Sequence, residues 1–328
     1  MTYNTSSQVR SWIFNKHTIA ECREQANKSY VDAVDTSDAS VKDNMLSAEE
    51  EQQLLFYYKS KMIEFGQQSE LKLPDTVYST AIAYMNRFYL KKSVMDVNPK
   101  QMMKVCLFIA CKTEDDHREI GDYSNVVKIQ PKEIVEMEIP LLEALAFQLV
   151  VYHPFRPLYG FLLDINEMMT MSNNQYQTWL NASTFSFNDL YHEATKHIQR
   201  SLLTDCSFLY HPYLIALACL DLSWPAFHEY FKLKFLSLEN HVQIQKEINE
   251  VKAIINAVPE RPNIDQVKII DAKLISLSKS LKKSKTKKKK SSASSSQGST
   301  KKQRTDLQSP PPPTDAVAQP VNGGTQVS

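Results

Sequence analysis

The chain has 328 residues, 42% of them apolar and 23% charged, enough for two ordinary domains with their own cores. It holds only six glycines, three of them near the C-terminus (Gly298, Gly323 and Gly324). That excludes the clustered glycines of a phosphate-binding loop, a dinucleotide fingerprint or a kinase nucleotide loop, and predicts a mainly helical body.

From the N-terminus, no apolar leader follows Met1 and no run of 18 apolar residues occurs. The expectation is a soluble intracellular protein whose five cysteines are free thiols. An amphipathic segment carries Trp12, Ile19, Cys22, Ala26 and Tyr30. Ser47-Ala48-Glu49-Glu50 reads as a capping box opening a helix with Leu54, Leu55, Tyr58, Met62 and Phe65 at helical spacing. Proline marks the next starts, because it is tolerated at the first helical position and disfavoured inside. Pro74 opens Asp75–Leu90, and Asn98-Pro99 opens a helix to about Lys112. Pro131 opens Lys132–Leu149, and Pro154 with Pro157 opens a segment to about Met169. A polar-apolar helix spans Gln175–Leu203, and Pro212 opens Tyr213–Trp224. Ser237–Val258 and Asp265–Leu281 follow.

Beyond Leu281, Lys282-Lys283-Ser284-Lys285-Thr286-Lys287-Lys288-Lys289-Lys290, a serine tract and Pro310–Pro313 cannot bury a core, so 282–328 is expected to be disordered. From Lys279 on there are 11 basic and 2 acidic residues, leaving 27 basic against 35 acidic, a net of −8, before it. An acidic body makes direct nucleic-acid binding unfavourable. The basic run, Lys282, Lys283, Lys285 and Lys287 to Lys290 through Lys288 and Lys289, fits nuclear import best, with nucleic-acid contact or plain solvation as alternatives. Ser309-Pro310 has the form of a proline-directed phosphosite.

The helices sort into blocks at 46–151 and 152–258, each with a central apolar helix. Superposing Pro99 on Pro212 sets Met102 on Ile215, Val105 on Ala218, Cys106 on Cys219 and Leu107 on Leu220, a repeat of about 113 residues. Two similar helical bundles are predicted, preceded by an N-terminal helix and linker (1–45) and followed by a C-terminal helix (259–281).

No active site emerges. His192 and His197 are five apart where a helical metal pair needs four, so they face different directions. Cys106 and Cys111 fail likewise and read as core, and Asp115-Asp116-His117 fixes no geometry. Lys112 and Glu138 are different, because each extends the apolar stripe of its own helix. An ionised group there needs a partner, unless Lys112 snorkels at its helix terminus and Glu138 is an imperfectly periodic surface residue.

Met85-Asn86-Arg87-Phe88-Tyr89-Leu90, then Leu107-Phe108-Ile109-Ala110-Cys111-Lys112, then Glu138 leading into Leu145-Ala146-Phe147-Gln148-Leu149, resembles a cyclin box. The start (Tyr3, Ser6-Ser7-Gln8, Arg10, Trp12, Phe14), the join Val151-Tyr152-His153-Pro154-Phe155-Arg156-Pro157 and Gly160-Phe161-Leu162-Leu163-Asp164 extend the resemblance over residues 3–281. The chain is thus similar to the cyclin family. The resemblance implies an all-α fold of two five-helix cyclin-box repeats with flanking N- and C-terminal helices. It implies no cofactor, no metal, no membrane and no catalysis. Its implied partners are the cyclin-dependent kinase catalytic subunit of the CDK-activating kinase, a RING-type assembly factor and the core of transcription factor IIH, which phosphorylates the RNA polymerase II C-terminal repeat in the nucleus. In cyclins the residues matching Lys112 and Glu138 pair and hold the kinase's C helix. The one matching Phe147 packs on that helix, and Trp12 and Phe14 contribute to that interface or support it. The alternative is a cyclin-like general transcription factor that binds nucleic acid itself.

Two features depart from the family pattern. Pro140 falls inside the helix of Glu138, where it should bend the helix or move its start. The Met-Arg-x-Ile-Leu docking stretch of cell-cycle cyclins is absent from Gln52–Phe65, which favours the transcriptional, kinase-activating branch.

Overall fold

The computed structural model describes residues 2–34, 39–68, 70–171 and 186–295. Regular structure among these is helical throughout. A 3-10 turn at Tyr3–Thr5 leads into α1 (Ser7–Ser11), α2 (Lys16–Ala33) and the short α3 (Ala39–Lys42). Five helices follow: α4 (Ala48–Gln68), α5 (Asp75–Tyr89), α6 (Pro99–Thr113), α7 (Ile120–Val127) and α8 (Pro131–Ala144). After the join come α9 (Phe155–Met171), α10 (Phe187–Leu202), the single turn α11 (Cys206–Leu209), α12 (Pro212–Ser223), α13 (Phe227–Phe235) and α14 (His241–Asn256), then α15 (Ile264–Ser295).

Local chemistry explains the starts. Ser47 Oγ accepts from Glu50 N at 3.2 Å while Ser47 N donates to Glu50 Oε2 at 3.1 Å, the reciprocal capping box that opens α4. Asn98 Oδ1 accepts from Lys100 N at 2.9 Å, and Pro99 supplies the first residue of α6. Gly66 answers a steric need: a Cβ there would sit 2.6 Å from the fully buried Tyr78 ring, so α4 and α5 meet only over glycine.

The repeat is visible in the packing. α6 lies against α4, α5 and α8, and α12 lies against α9, α10 and α14. Each central helix buries most of its residues, α6 in a first core and α12 in a second. Val267, Ile270, Leu274 and Leu277 of α15 join the first core, while Trp12, Ile19, Leu90 and Phe208 form a small third cluster.

The seam between the two bundles is polar. Lys59, 4% exposed, donates to Leu203 O at 2.9 Å, and burial lowers its pKa to about 8. Arg23 grips Asp205 through two bonds of 2.6 and 2.8 Å. Gln199 Nε2 donates to the Tyr78 hydroxyl at 2.8 Å. Thr80 Oγ1 donates to Glu114 at 2.6 Å and lies 2.7 Å from His153 Nε2. Its single proton is thereby spent, so His153 donates from Nε2 and stays neutral. Burial, aided by the Arg87 charge, pushes the His153 pKa down to about 3.

Several expected bounds shift. α8 starts at Pro131 as read and continues through Pro140, but it ends at Ala144 rather than Leu149. Ala146 and Phe147 turn left-handed there (φ 52° and 56°), and Phe147 N returns to Leu142 O. The helix expected over Ser237–Val258 begins at His241, behind the separate helix α13, because the Leu236–Asn240 turn interrupts it. α10 begins at Phe187 on the Ser186 cap; residues 175–185 of the expected helix lie outside the described residues.

Residues 283–328 form a separate unit. α15 carries helical backbone to Ser295, past the expected end at Leu281 and through the basic run, since lysine is a good helix former and no proline or glycine intervenes before Gly298. Lys282 and Lys283 are exposed; Ser309 and Pro310 lie outside the described residues.

Candidate functional site

The two charges singled out by periodicity meet. Lys112, in the last turn of α6, places Nζ 2.8 Å from Glu138 Oε1 on α8 and 4.9 Å from the Phe108 ring centroid. Their side chains are 46% and 26% exposed. Neither charge is stranded, and a solvated pair of this kind contributes only about 0–1 kcal/mol to stability. Its presence therefore calls for a reason other than holding the fold. Val135 (57% exposed), three residues before Glu138, shares its face of α8, and Ile139 (54%), four after Val135, lies along the Val135 side of the helix. Nothing in the sequence pattern set these two apart, because exposed and buried apolar residues alternate along α8.

Phe147 stands just beyond α8, 63% exposed. It and Ala146 are left-handed without being glycine, which costs roughly 1–2 kcal/mol per residue. Surrounding bonds offset that cost. Leu145 is fully buried, Ala146 N reaches Glu143 O at 2.9 Å and Phe147 N reaches Leu142 O at 2.9 Å. Lys91 Nζ donates to Ala144 O at 2.7 Å, Arg87 to Gln148 O at 3.0 Å and the Tyr84 hydroxyl to Leu149 O at 2.6 Å. A fixed aromatic ring is thus held out in solvent by three side chains of the first bundle.

Arg87 is 2% exposed, and burial pushes its pKa down to about 10. Both it and Lys91 stack over the Trp12 ring, 4.8 and 5.1 Å from its centroid. Trp12 Nε1 also donates to Gln148 Oε1 at 2.7 Å. Four residues upstream, Gln8 brackets the backbone of Tyr152, accepting from its N at 2.7 Å and donating to its O at 3.3 Å.

Trp12 is 3% exposed, packed in the small cluster with Ile19, Leu90 and Phe208. Phe14 is half-buried; its N donates to Phe208 O at 2.7 Å and its ring meets Phe208 edge-on at 5.8 Å. It anchors the N-terminal segment to the second bundle. Arg87 carried a sequence signal that periodicity reasoning passed over: a charge within Ala81–Phe88, where Asn86 is the one other position not fully apolar or aromatic.

The remaining candidates behave as fold residues. Cys106 and Cys111 are buried in the first core, and desolvation raises both thiols, Cys111 to about 12. Asp116 chelates Arg118 at 2.8–3.2 Å. No group of His, Cys, Asp and Glu among the described residues is arranged to hold a metal. No described helix is long and apolar enough to cross a membrane.

Comparison with known proteins gives the same outline. The family model described as Cyclin, N-terminal domain matches residues 18–150, and Cyclin C-terminal domain matches 153–260. A putative cyclin-H of Dictyostelium discoideum is 45% identical over 230 residues, 70% of this chain and 78% of that protein. A chain of the yeast TFIIK (Kin28/Ccl1/Tfb3) complex is 30% identical with a TM-score of 0.62, covering 77% of this chain and all of that one. A chain of the Chaetomium thermophilum CAK complex shares the fold, with a TM-score of 0.70 at 24% identity over 84% of this chain and 88% of its own. With both boxes matched and a relative of this identity, the chain belongs to the cyclin family, in its cyclin H branch.

Proposed function

We propose that this chain is the regulatory subunit of a CDK-activating kinase: it binds a cyclin-dependent kinase, switches it on and does no chemistry itself. The observation that carries the reading is the Lys112–Glu138 pair at 2.8 Å, with Lys112 46% exposed and Glu138 on a helix that also exposes Val135 and Ile139 and is followed by the exposed Phe147. A pair worth little to the fold, set among apolar side chains that solvent disfavours, has the composition of a protein-binding face. Its kinase element is the regulatory C helix, whose inward position aligns the catalytic lysine–glutamate pair. A cyclin that binds only that position shifts the kinase population toward the active state by the difference in affinity.

The relatives support the setting. The assembled yeast complex brings together Kin28, Ccl1 and Tfb3, so we infer a kinase and a RING-type assembly factor as partners here. Attachment to the transcription factor IIH core, phosphorylation of the RNA polymerase II C-terminal repeat and a nuclear location belong to the same reading, with Lys282 to Lys290 as import signal.

The test is co-expression with the kinase subunit and assembly factor, followed by pull-down and assay on a C-terminal-repeat peptide. Wild type should co-purify and stimulate phosphorylation. Lys112→Glu should weaken the complex by about tenfold or more, since a reversed charge at an interface meets its like, with an unchanged melting temperature. Full binding and activation by Lys112→Glu would overturn the reading.

A further inference from the structure

The second box carries a concave surface that the kinase-binding reading does not use. α13 and α14 diverge around an open groove of about 740 Å³, a size that takes two or three large side chains. Its floor is apolar, built from Phe231, Leu236, Val242 and Ala253. Val242 is 68% exposed and Leu236 56%, the most exposed of the large apolar residues described in the second bundle. Scattered exposed leucines and valines are ordinary; two that line one hollow are a feature.

Charge identifies the occupant. Lys232, Lys246, His228 and His241 border the groove against a single carboxylate, Glu250, which accepts a hydrogen bond from the Tyr210 hydroxyl at 2.8 Å. Lys232 reaches Glu229 at 3.3 Å, whereas Lys246 is in no ion pair among the described residues. With the histidines counted neutral, two lysines against one lining carboxylate make a local inversion on a body of net charge −8, and this selects against this chain's own parts. The C-terminal region, with 11 basic and 2 acidic residues from Lys279 on, carries the wrong sign. A two-fold contact between copies would bring two surfaces of the same sign together.

We propose that the α13–α14 groove docks an acidic amphipathic helix of a partner protein, its apolar stripe on Val242 and Leu236 and its carboxylates beside Lys246 and Lys232. The mode is helix-in-groove, in which anchors at i, i+3 or i+4 and i+7 fill the hollow and the flanking charges fix orientation. α14 has 16 residues, about 24 Å of axis, enough to lie along two to three turns of such a ligand. The site is separate from Lys112 and Glu138, which sit on α6 and α8 of the first box.

The probe is a fluorescein-labelled helical peptide with leucine and phenylalanine at those anchor positions and glutamate on both flanks. It is titrated into the full-length protein by anisotropy beside a counterpart with lysine for glutamate. Saturable binding of the acidic peptide alone is expected, weakened at least about tenfold by Val242→Glu, the loss typical of a disrupted anchor. Lys246→Glu should weaken the acidic peptide and strengthen the basic one. Both positions are exposed, and an unchanged melting temperature confirms folding. The proposal is overturned by equal affinity for the two peptides, by no saturation at millimolar peptide, or by undiminished binding to Val242→Glu. Concentration-dependent dimers that Val242→Glu abolishes would assign the groove to a second copy and overturn it as well. A variant that loses the peptide but keeps the kinase separates this site from the kinase-binding face.

Discussion

Trp12 Nε1 bonds Gln148 Oε1 across 136 residues of chain, and Gln148 is the neighbour of Phe147. The N-terminal segment thereby braces the one turn that holds an aromatic ring in solvent. Trp12→Phe keeps an aromatic ring under Arg87 and Lys91 but leaves the Gln148 amide without its donor. A loss of about 1–2 kcal/mol is expected in urea unfolding, together with weaker kinase binding although Trp12 is buried. Unaltered kinase affinity would confine Trp12 to the fold.

Phe147 sets stability against binding. Phe147→Gly removes left-handed strain and an exposed ring, so thermal stability should rise, by up to about 1 kcal/mol after the greater entropy of the unfolded glycine is counted. The same change should reduce kinase affinity. A destabilised Phe147→Gly protein would show that the ring packs on its own chain.

The Lys112–Glu138 pair allows a charge exchange. The double variant Lys112→Glu with Glu138→Lys restores an internal ion pair, so its melting temperature should match wild type. Kinase binding should remain lost, because the partner then meets inverted charges. Rescue of binding by the double variant would show that only the internal pair matters.

Gly66→Ala tests the approach of α4 to α5. The added Cβ meets the Tyr78 ring at 2.6 Å, and that ring is fully buried. Overpacking of this kind costs about 1–3 kcal/mol, readable as a lower urea midpoint. Because the Tyr78 hydroxyl accepts from Gln199, the strain should reach the second box as faster hydrogen exchange at the α10 C-terminus.

His153 predicts the acid limb of the stability curve. Its folded pKa is about 3, against an ordinary value near 6.5. Between these values the unfolded chain binds the extra proton, so this group's stabilisation is full above pH 6.5 and falls as pH drops toward 3. The slope is about 1.4 kcal/mol per pH unit. His153→Gln, which can still donate to Thr80, should flatten that limb relative to wild type in unfolding measured from pH 7 to 4.

Proline, capping residues and apolar spacing carried the fold a long way. Ser47, Asn98, Pro99, Pro131 and Pro212 stand at or beside helix starts because their preferences are local to one turn. α7 escaped the same reading: eight residues with Gly121 near the start offer too few periods to register. The stop of α8 was hidden because no glycine marks Ala146 and Phe147; tertiary bonds from Lys91, Arg87 and Tyr84 hold that turn. For the site, Lys112 and Glu138 were legible as charges out of place on apolar stripes. That they satisfy one another depends on the crossing of α6 and α8, which one-dimensional periodicity does not contain. The burial of Trp12 was invisible for the same reason, its bond partner being 136 residues away.

The seam of Lys59, Arg23, Asp205, Tyr78, Gln199, Thr80 and His153 makes each bundle the solvent of the other's polar groups. Cut at the join, either half would bare donors and acceptors that pair across the seam, Lys59 with Leu203 O and Gln199 with the Tyr78 hydroxyl among them, along with the apolar surface around them. The duplicated architecture is therefore a poor candidate for dissection into autonomous modules. Calorimetry of the intact chain should record one endotherm, both repeats melting together.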